Sequence, residues 1–517
     1  MAMAGLLARF EGANLGLHST WVTALAAAVI SYAVVLATYR LFLHPLARVP
    51  GPKIAALTTW WEVYENVWRG GHLPFELKKL HEVYGPIIRI SPNGVHIADS
   101  DTYERIYRVG SDFGKDEWYY QVAFGPPTFF TVNDNAKHRE GREPVSQFFS
   151  RRNVLGPMQK VVQAEVARFA GRVSTLVAEK KSVPVHRCFR CITTDVITEV
   201  AWGWDDQTIL KDDFAAEFHD DLATVQQAMW IRLYFPRVTR ILNLTPPKYV
   251  AMMDRAVGKF LGVMETCRNQ VIRIKAETRR ADYKEPPTIF HALLDEQSVI
   301  KGKKEEDLET MTGVGALIYV AAVETTAHAL TTITYSVSKD VKILKRLQQE
   351  LDEAFPDPLE EMNLTKLEAL PFLTAVIYEG LRLSFGVASR LPRIVPQSGF
   401  EFDKYFLPPG VQVGMSAYTV HTDEAIFPDP FTFNPDRWIG RVKQLEKYLV
   451  SFSKGSRQCI GMNLAFCEIY VTLGMLFRRY DITVHETDDA DMEITADYFN
   501  AWSNKDARKL QIIATAR

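Results

Sequence analysis

Near the carboxyl end stands Phe452-Ser453-Lys454-Gly455-Ser456-Arg457-Gln458-Cys459-Ile460-Gly461, and a long apolar stretch with helical spacing begins at Met462. A cysteine in such a loop can hold haem iron as a thiolate, and three needs of that ligand are met. Gly455 and Gly461 permit a tight loop whose backbone approaches the metal. The start of the following helix supplies N–H donors at sulfur. Arg457 offers a cation to the carboxylates of the macrocycle. Most cysteines before a helix are small buried hydrophobes. Here several positions agree at once, which sets this one apart.

A second set of residues suits oxygen chemistry. In Ala321-Ala322-Val323-Glu324-Thr325-Thr326 the Thr325 hydroxyl can bond the carbonyl four residues back, at Ala321, weakening the ladder and bending the helix. The small Ala322 leaves room beside it. A hydroxyl and an acid in an opened turn make a site for oxygen and a proton path; a polar pair tucked into a helix crossing is the plainer alternative. Glu379 and Arg382, three apart, are alone an ordinary ion pair. Joined by Arg437 they could form a buried network that fixes the cysteine loop.

These segments together resemble the cytochrome P-450 superfamily. The Phe452–Gly461 run resembles its haem-binding loop, Glu379-Gly380-Leu381-Arg382 the Glu-x-x-Arg of its K helix, and Phe433-Asn434-Pro435-Asp436-Arg437-Trp438 the segment whose Arg completes a Glu-Arg-Arg network. Residues 321–326 resemble the acid-Thr element of the I helix, with Ala322 where the family more often has Gly. The order along the chain is the family's. The resemblance implies that Cys459 is the axial ligand of haem, with Phe452 and Gly461 in its loop. Arg457, Arg393 and the i, i+4 pair His138 and Arg142 would meet the propionates, although many relatives have Trp at His138. It implies reductive oxygen activation: the thiolate favours O–O cleavage, Thr325 and Glu324 help deliver protons, and one oxygen enters an unactivated C–H or C=C bond. The alternative is a haem-thiolate isomerase or dehydratase that needs neither dioxygen nor a reductase; Glu324 and Thr325 argue against it. A non-catalytic haem sensor or membrane scaffold is a further alternative.

Within the superfamily, Leu43-His44-Pro45-Leu46, the run from Phe452 to Ala465, and Phe477-Arg478-Arg479-Tyr480 are similar to the fungal trichodiene oxygenase-like group. That implies secondary metabolism and a terpenoid or polyketide-type substrate. By the same resemblance, residues 123–130, 387–389 and 500–502 face a bulky apolar substrate, or simply pack on the core. Only 58 residues lie beyond Cys459, too few for a flavin domain, and no dinucleotide fingerprint stands in a suitable context. Electrons from a separate NADPH-cytochrome reductase are therefore expected, with cytochrome b5 as a second candidate donor.

The elements that must position these residues are mostly helical. Stretches 156–180, 187–203, 251–280, 306–338, 341–354 and 460–480 carry apolar residues at helical spacing. Residues 87–90 and 94–97 flank a Ser-Pro-Asn turn and predict a hairpin, with further short strands near 390–415 and at the carboxyl end. The fold class is mainly α with a small β portion, as in the cytochrome P-450 fold. Between Glu309 and Lys339 the only formal charge is Glu324; each uncharged half is short for a span and suits a buried core helix.

The amino end is different. Residues 12–39 hold no Asp, Glu, Lys or Arg, and Arg40, Arg48 and Lys53 come next. This reads as one transmembrane helix with the body on the cytosolic side, in the endoplasmic reticulum membrane. A cleaved signal peptide fits less well. The expected division is a lumenal tail over 1–18, an anchor over 19–39, a Pro-rich hinge over 40–54 and one monooxygenase domain over 55–517. Residues 229–235 mix aromatic and basic types and suit either the membrane surface or an ordinary packed helix. A net charge of −2 points to no nucleic-acid partner. Five cysteines at irregular spacing suit a reducing compartment. Cys188-Phe189-Arg190-Cys191 lacks the context of a redox or metal motif, and the sequons at Asn243 and Asn363 would go unused in the cytosol.

Overall fold

The computed structural model describes residues 21–517 apart from 125–127, 246–248, 250–251, 253–254, 279–287, 295–307 and 504–507. The expected tail over 1–18 and part of the 123–130 stretch lie outside the described residues.

The helix Leu308–Lys339 is the axis of the molecule. Being apolar nearly all round, it can be covered on every side, and the protein covers it. It packs most extensively on Val185–Trp202, then on Arg255–Thr278, Pro371–Leu383 and Met462–Arg479. Its length and composition would allow a membrane span, but two thirds of its most apolar window is buried in protein. It stops at Asp340, whose carboxylate accepts from the N–H groups of Lys342 and Ile343 and starts the next helix, Val341–Ala354.

The largest sheet among the described residues has five strands, in the order Ile87–Ser91, Gly94–Ile97, Gln412–Gly414, Arg393–Ile394, Gly114–Lys115. The expected hairpin pairs Ile87 with Ile97, and its second strand runs parallel to Gln412–Gly414. The sheet thereby holds Arg393 and Lys115 side by side. A two-stranded ladder near the carboxyl end joins Ile494–Tyr498 to Asn500–Ser503.

The apolar amino-terminal helix runs from Trp21 to Leu43, past the expected end at 39, and its most apolar window is uncovered by protein. The Pro-rich segment after it is pinned rather than free. Arg89 donates to the Arg40 carbonyl at 2.7 Å, its backbone N–H donates to the Pro50 carbonyl at 2.7 Å, and Leu46 is fully buried.

Candidate haem-thiolate site

Cys459 sits where the loop turns into the helix Met462–Arg479. Its backbone N–H donates to the Phe452 carbonyl at 2.9 Å, closing the loop. Gly455 adopts φ +70°, and a Cβ there would collide with the backbone of Tyr107 and Arg108, so glycine is required on both counts. Gly461 differs from expectation: its φ of −84° is open to any residue. Its role is proximity, because its N–H donates to the Cys459 sulfur. Burial raises the thiol pKa, while that N–H and the charge of Arg142 oppose the rise. The residue is left exposed, unlike the other four cysteines, which are buried.

Beneath the loop the Glu-Arg-Arg network is assembled and buried. Arg382 makes a two-pronged pair with Glu379 at 2.9 and 2.7 Å, with both side chains at 0% exposure. Arg437 Nε donates to the same carboxylate at 3.0 Å, the Trp438 indole at 2.8 Å and the Asn434 N–H at 2.9 Å. Two residues missed in the sequence carry the network to the cysteine loop. His421 receives the Val450 N–H at 2.9 Å and bonds the Arg382 carbonyl at 2.8 Å. The Ser451 hydroxyl donates to the Leu381 carbonyl at 2.7 Å. Burial pushes the His421 pKa down to about 3, so the ring is neutral and can accept at one nitrogen while donating from the other.

Removing the acid from this network should be severe. Glu379→Ala strands a buried arginine, an error of about 3–5 kcal/mol. The expected result is a protein with a much lowered melting temperature and little bound haem, measured by thermal scan and haem content.

The expected propionate partners converge. His138 is buried, and burial with the charges of Arg457, Arg142, Lys115 and Arg393 pushes its pKa down to about 3. Arg457 is pushed to about 10 by burial and by Arg393 and Arg142. Its guanidinium reaches the carbonyls of Val132 and Asn133, each at 2.8 Å, just before the His138 helix, Asn135–Phe148. Arg393 donates to the Tyr120 hydroxyl at 2.9 Å. Lys115 was missed: it is buried between the rings of Phe130 and Tyr120, 3.8 and 4.1 Å away, and its pKa lies well below the ordinary value, through burial first and then the neighbouring arginines. Like charges crowded into a buried place cost energy unless anions join them. Two propionates beside a ligating thiol answer that cost, so the residues present fit haem.

The central helix presents an exposed Ala321 and half-exposed Ala322 and Thr325, on an element otherwise largely buried. Thr325 Oγ1 donates to the Ala321 carbonyl at 2.9 Å, as expected from the spacing. Leu308–Lys339 runs as one continuous α-helix through this turn. Glu324 points elsewhere, into the crossing with Val185–Trp202, where Arg190 holds it at 2.7 Å. Thr193, three residues along that helix, donates to the Val323 carbonyl at 2.9 Å. A second acid, Glu468, lies nine residues after Cys459. It is fully buried, its pKa is raised well above the ordinary value by burial, and it is hydrogen-bonded to Thr326.

Of the expected substrate-facing turns, two meet, for Val387 pairs with Asn500 in an isolated bridge. Beside them Tyr120, Phe130 and Phe499 form edge-to-face contacts at 5.7 and 6.2 Å. Within 229–235, Trp230 and Leu233 are buried and only Ile231 is markedly exposed, so this segment is chiefly a packed helix. Cys188 and Cys191 are buried, with thiols pushed up by burial.

The geometry fits a haem-thiolate site, and the comparisons show the family. The Cytochrome P450 family model matches residues 55–504. The chain is 33% identical over 504 residues to Cytochrome P450 monooxygenase tpcC of Cochliobolus heterostrophus, covering 93% of this chain and 95% of that one. It is 31% identical to Tryptophan 6-hydroxylase fscE of Fusarium equiseti, covering 92% and 94%, and 30% identical to Cytochrome P450 monooxygenase TRI4 of Trichoderma arundinaceum, covering 88% of each. The chain belongs to the cytochrome P450 family, and it is a haem monooxygenase.

Proposed function

We propose that this enzyme inserts one oxygen atom from dioxygen into a hydrophobic intermediate of fungal secondary metabolism, of terpenoid or polyketide type. Its electrons come from a separate membrane-bound NADPH-dependent reductase. The observation that carries the reading is the exposed Cys459 sulfur in a closed loop beside a buried cluster of basic groups. When bound, haem supplies the reductive activation of dioxygen. Cys459 would hold the iron through its thiolate, which the Gly461 N–H and Arg142 would stabilise. Arg457, Arg393, His138, Arg142 and Lys115 would hold the propionates. Thr325 orders a proton donor on the open face of the central helix, and Glu324 supplies protons from behind it. The apolar turns at 387–389 and 500–502 orient substrate and exclude water.

The test is a reduced carbon monoxide spectrum of the full chain, then turnover with reductase and NADPH on metabolites that accumulate in a deletion strain. Accumulation of no metabolite that the enzyme then oxidises would overturn the substrate class.

The membrane reading rests on Trp21–Leu43 and on the aromatic residues just beyond it. Trp60, Tyr64 and Trp68 are each more than half exposed, and Trp60 packs against Phe235 at 6.1 Å. Aromatic side chains so placed suit the bilayer interface beside an anchor. Deleting residues 1–40 should therefore release a haem-loading protein that still sediments with vesicles. In the full chain Asn243 and Asn363 should carry no glycan, by mass spectrometry; glycan at either would place the body in the lumen. Asn363 already caps the helix Leu364–Glu368 through its side chain, so Asn243 is the sharper reporter.

A further inference from the structure

A pocket of about 780 Å³ lies where the helices Gln159–Ala178 and Val185–Trp202 approach the strand Gln511–Ala516. His186, Arg187 and Lys509 are among its walls, and none of the haem-site residues is. One helical turn beyond His186 stands Arg190, which holds Glu324 at 2.7 Å. One turn beyond Glu324 on the central helix stands His328. These groups lie within reach of one another's charge: His186 feels Arg190, Lys509 and His328, and His328 feels Glu324, Arg190 and Lys509.

Three nitrogens of this cluster, His186 Nε2, Arg190 Nε and His328 Nε2, are buried and have no hydrogen-bond partner among the described residues. A buried polar atom left unmet costs about 1–3 kcal/mol, and native proteins ordinarily answer such atoms with internal water. Two of them beside the buried Glu324 carboxylate, with the third on His186 in the wall of the pocket, make a place that one or two waters would complete. Burial holds both rings neutral, with His328 pushed down to about 4 and His186 well below its ordinary value. A neutral imidazole donates at one nitrogen and accepts at the other, so it can pass a proton without changing the charge of the cluster.

We propose that this pocket is the outer mouth of a proton inlet, in which water held by His186, Arg190 and His328 connects solvent to Glu324. The inference rests on the reading of Glu324 as the acid behind Thr325. Each oxygen insertion takes up two electrons, from NADPH through the reductase, and two protons; one oxygen atom enters substrate and the other leaves as water. Every proton that Glu324 gives to the active-site side is replaced from pocket water, so the cluster returns to its starting charge. His186 and His328 are thus positioning residues and touch neither haem nor substrate.

A crystal structure of the haem-loaded full chain, at a resolution that shows solvent, should place ordered water within hydrogen-bonding distance of all three nitrogens. A dry cluster overturns the proposal, whatever the variants do. In His186→Phe and His328→Leu, product formed per NADPH should fall severalfold and the solvent deuterium isotope effect on product formation should rise. The substrate is the one identified from the deletion strain, and the carbon monoxide spectrum and substrate-binding shift should be unchanged. His186→Gln, which can still hold water, should restore coupling. Isotope effects equal to wild type in both variants overturn the inlet. Glu324→Gln separates the two claims. If it uncouples turnover while the histidine variants do not, the inlet alone is wrong; if it has no effect, the role of Glu324 and the inlet fall together.

Discussion

Cys459→Ser abolishes the red-shifted, thiolate-type absorbance of the reduced carbon monoxide complex. The expectation comes from the atom, not from a change of fold. The bond that closes the loop, from the 459 N–H to the Phe452 carbonyl, is backbone to backbone and survives the substitution. Glu379, Arg382 and His421 still brace the loop from below. A serine hydroxyl, however, stays protonated where a metal-bound thiol gives up its proton, so the electron donation that marks the spectrum is lost. The basic cluster still attracts the propionates, so haem binding should weaken rather than vanish. The other cysteines supply the control. Cys188, Cys191, Cys267 and Cys467 are buried, each with its thiol pushed up by burial. Their serine variants should keep the band. A Cys459→Ser protein that retained it would show that another group ligates the iron.

The cysteine loop was legible because its parts are contiguous: ligand, glycines and arginine fall within seven residues. The Glu379–Arg382 pair was half legible. Its i, i+3 spacing is common on exposed helices, and only Arg437, far along the chain, distinguishes a buried network from a surface pair. What escaped the sequence depends on contacts between distant segments. Glu324 meets Arg190 across 134 residues, and no local pattern marks that partnership. No local pattern distinguishes Lys115; only the sheet, which sets it beside Arg393, does so. Glu468 lies on the helix just after Cys459, where its spacing alone does not reveal that Thr326 covers it. At Thr325 the i, i+4 spacing was enough to place the bond, which the helix makes without interruption. A side-chain bond to the Ala321 carbonyl can share that acceptor with the backbone, and a helix packed on several sides has little freedom to open.

That shared acceptor makes Thr325→Ala the cleanest test of mechanism. Among the described residues the hydroxyl bonds only within its own turn, so removing it breaks no hydrogen bond between helices. Alanine is also the better helix former, by roughly half a kcal/mol, so the melting temperature should hold or rise slightly. Haem should load normally, since Cys459 and the basic cluster are untouched. What disappears is the hydroxyl that orders a proton donor on the open face beside Ala321 and Ala322. Positioned proton transfer contributes about 10²–10⁴ in rate, and without it dioxygen reduction should end mainly in hydrogen peroxide. The variant should consume NADPH and dioxygen at a substantial rate, yet the ratio of product to NADPH should fall roughly tenfold or more. The measurement is that ratio, with peroxide assayed in parallel, in wild type and variant. Loss of haem would show that Thr325 is structural. An unchanged ratio would remove Thr325 from oxygen chemistry and favour a haem-thiolate isomerase or dehydratase, whose turnover should then proceed without NADPH.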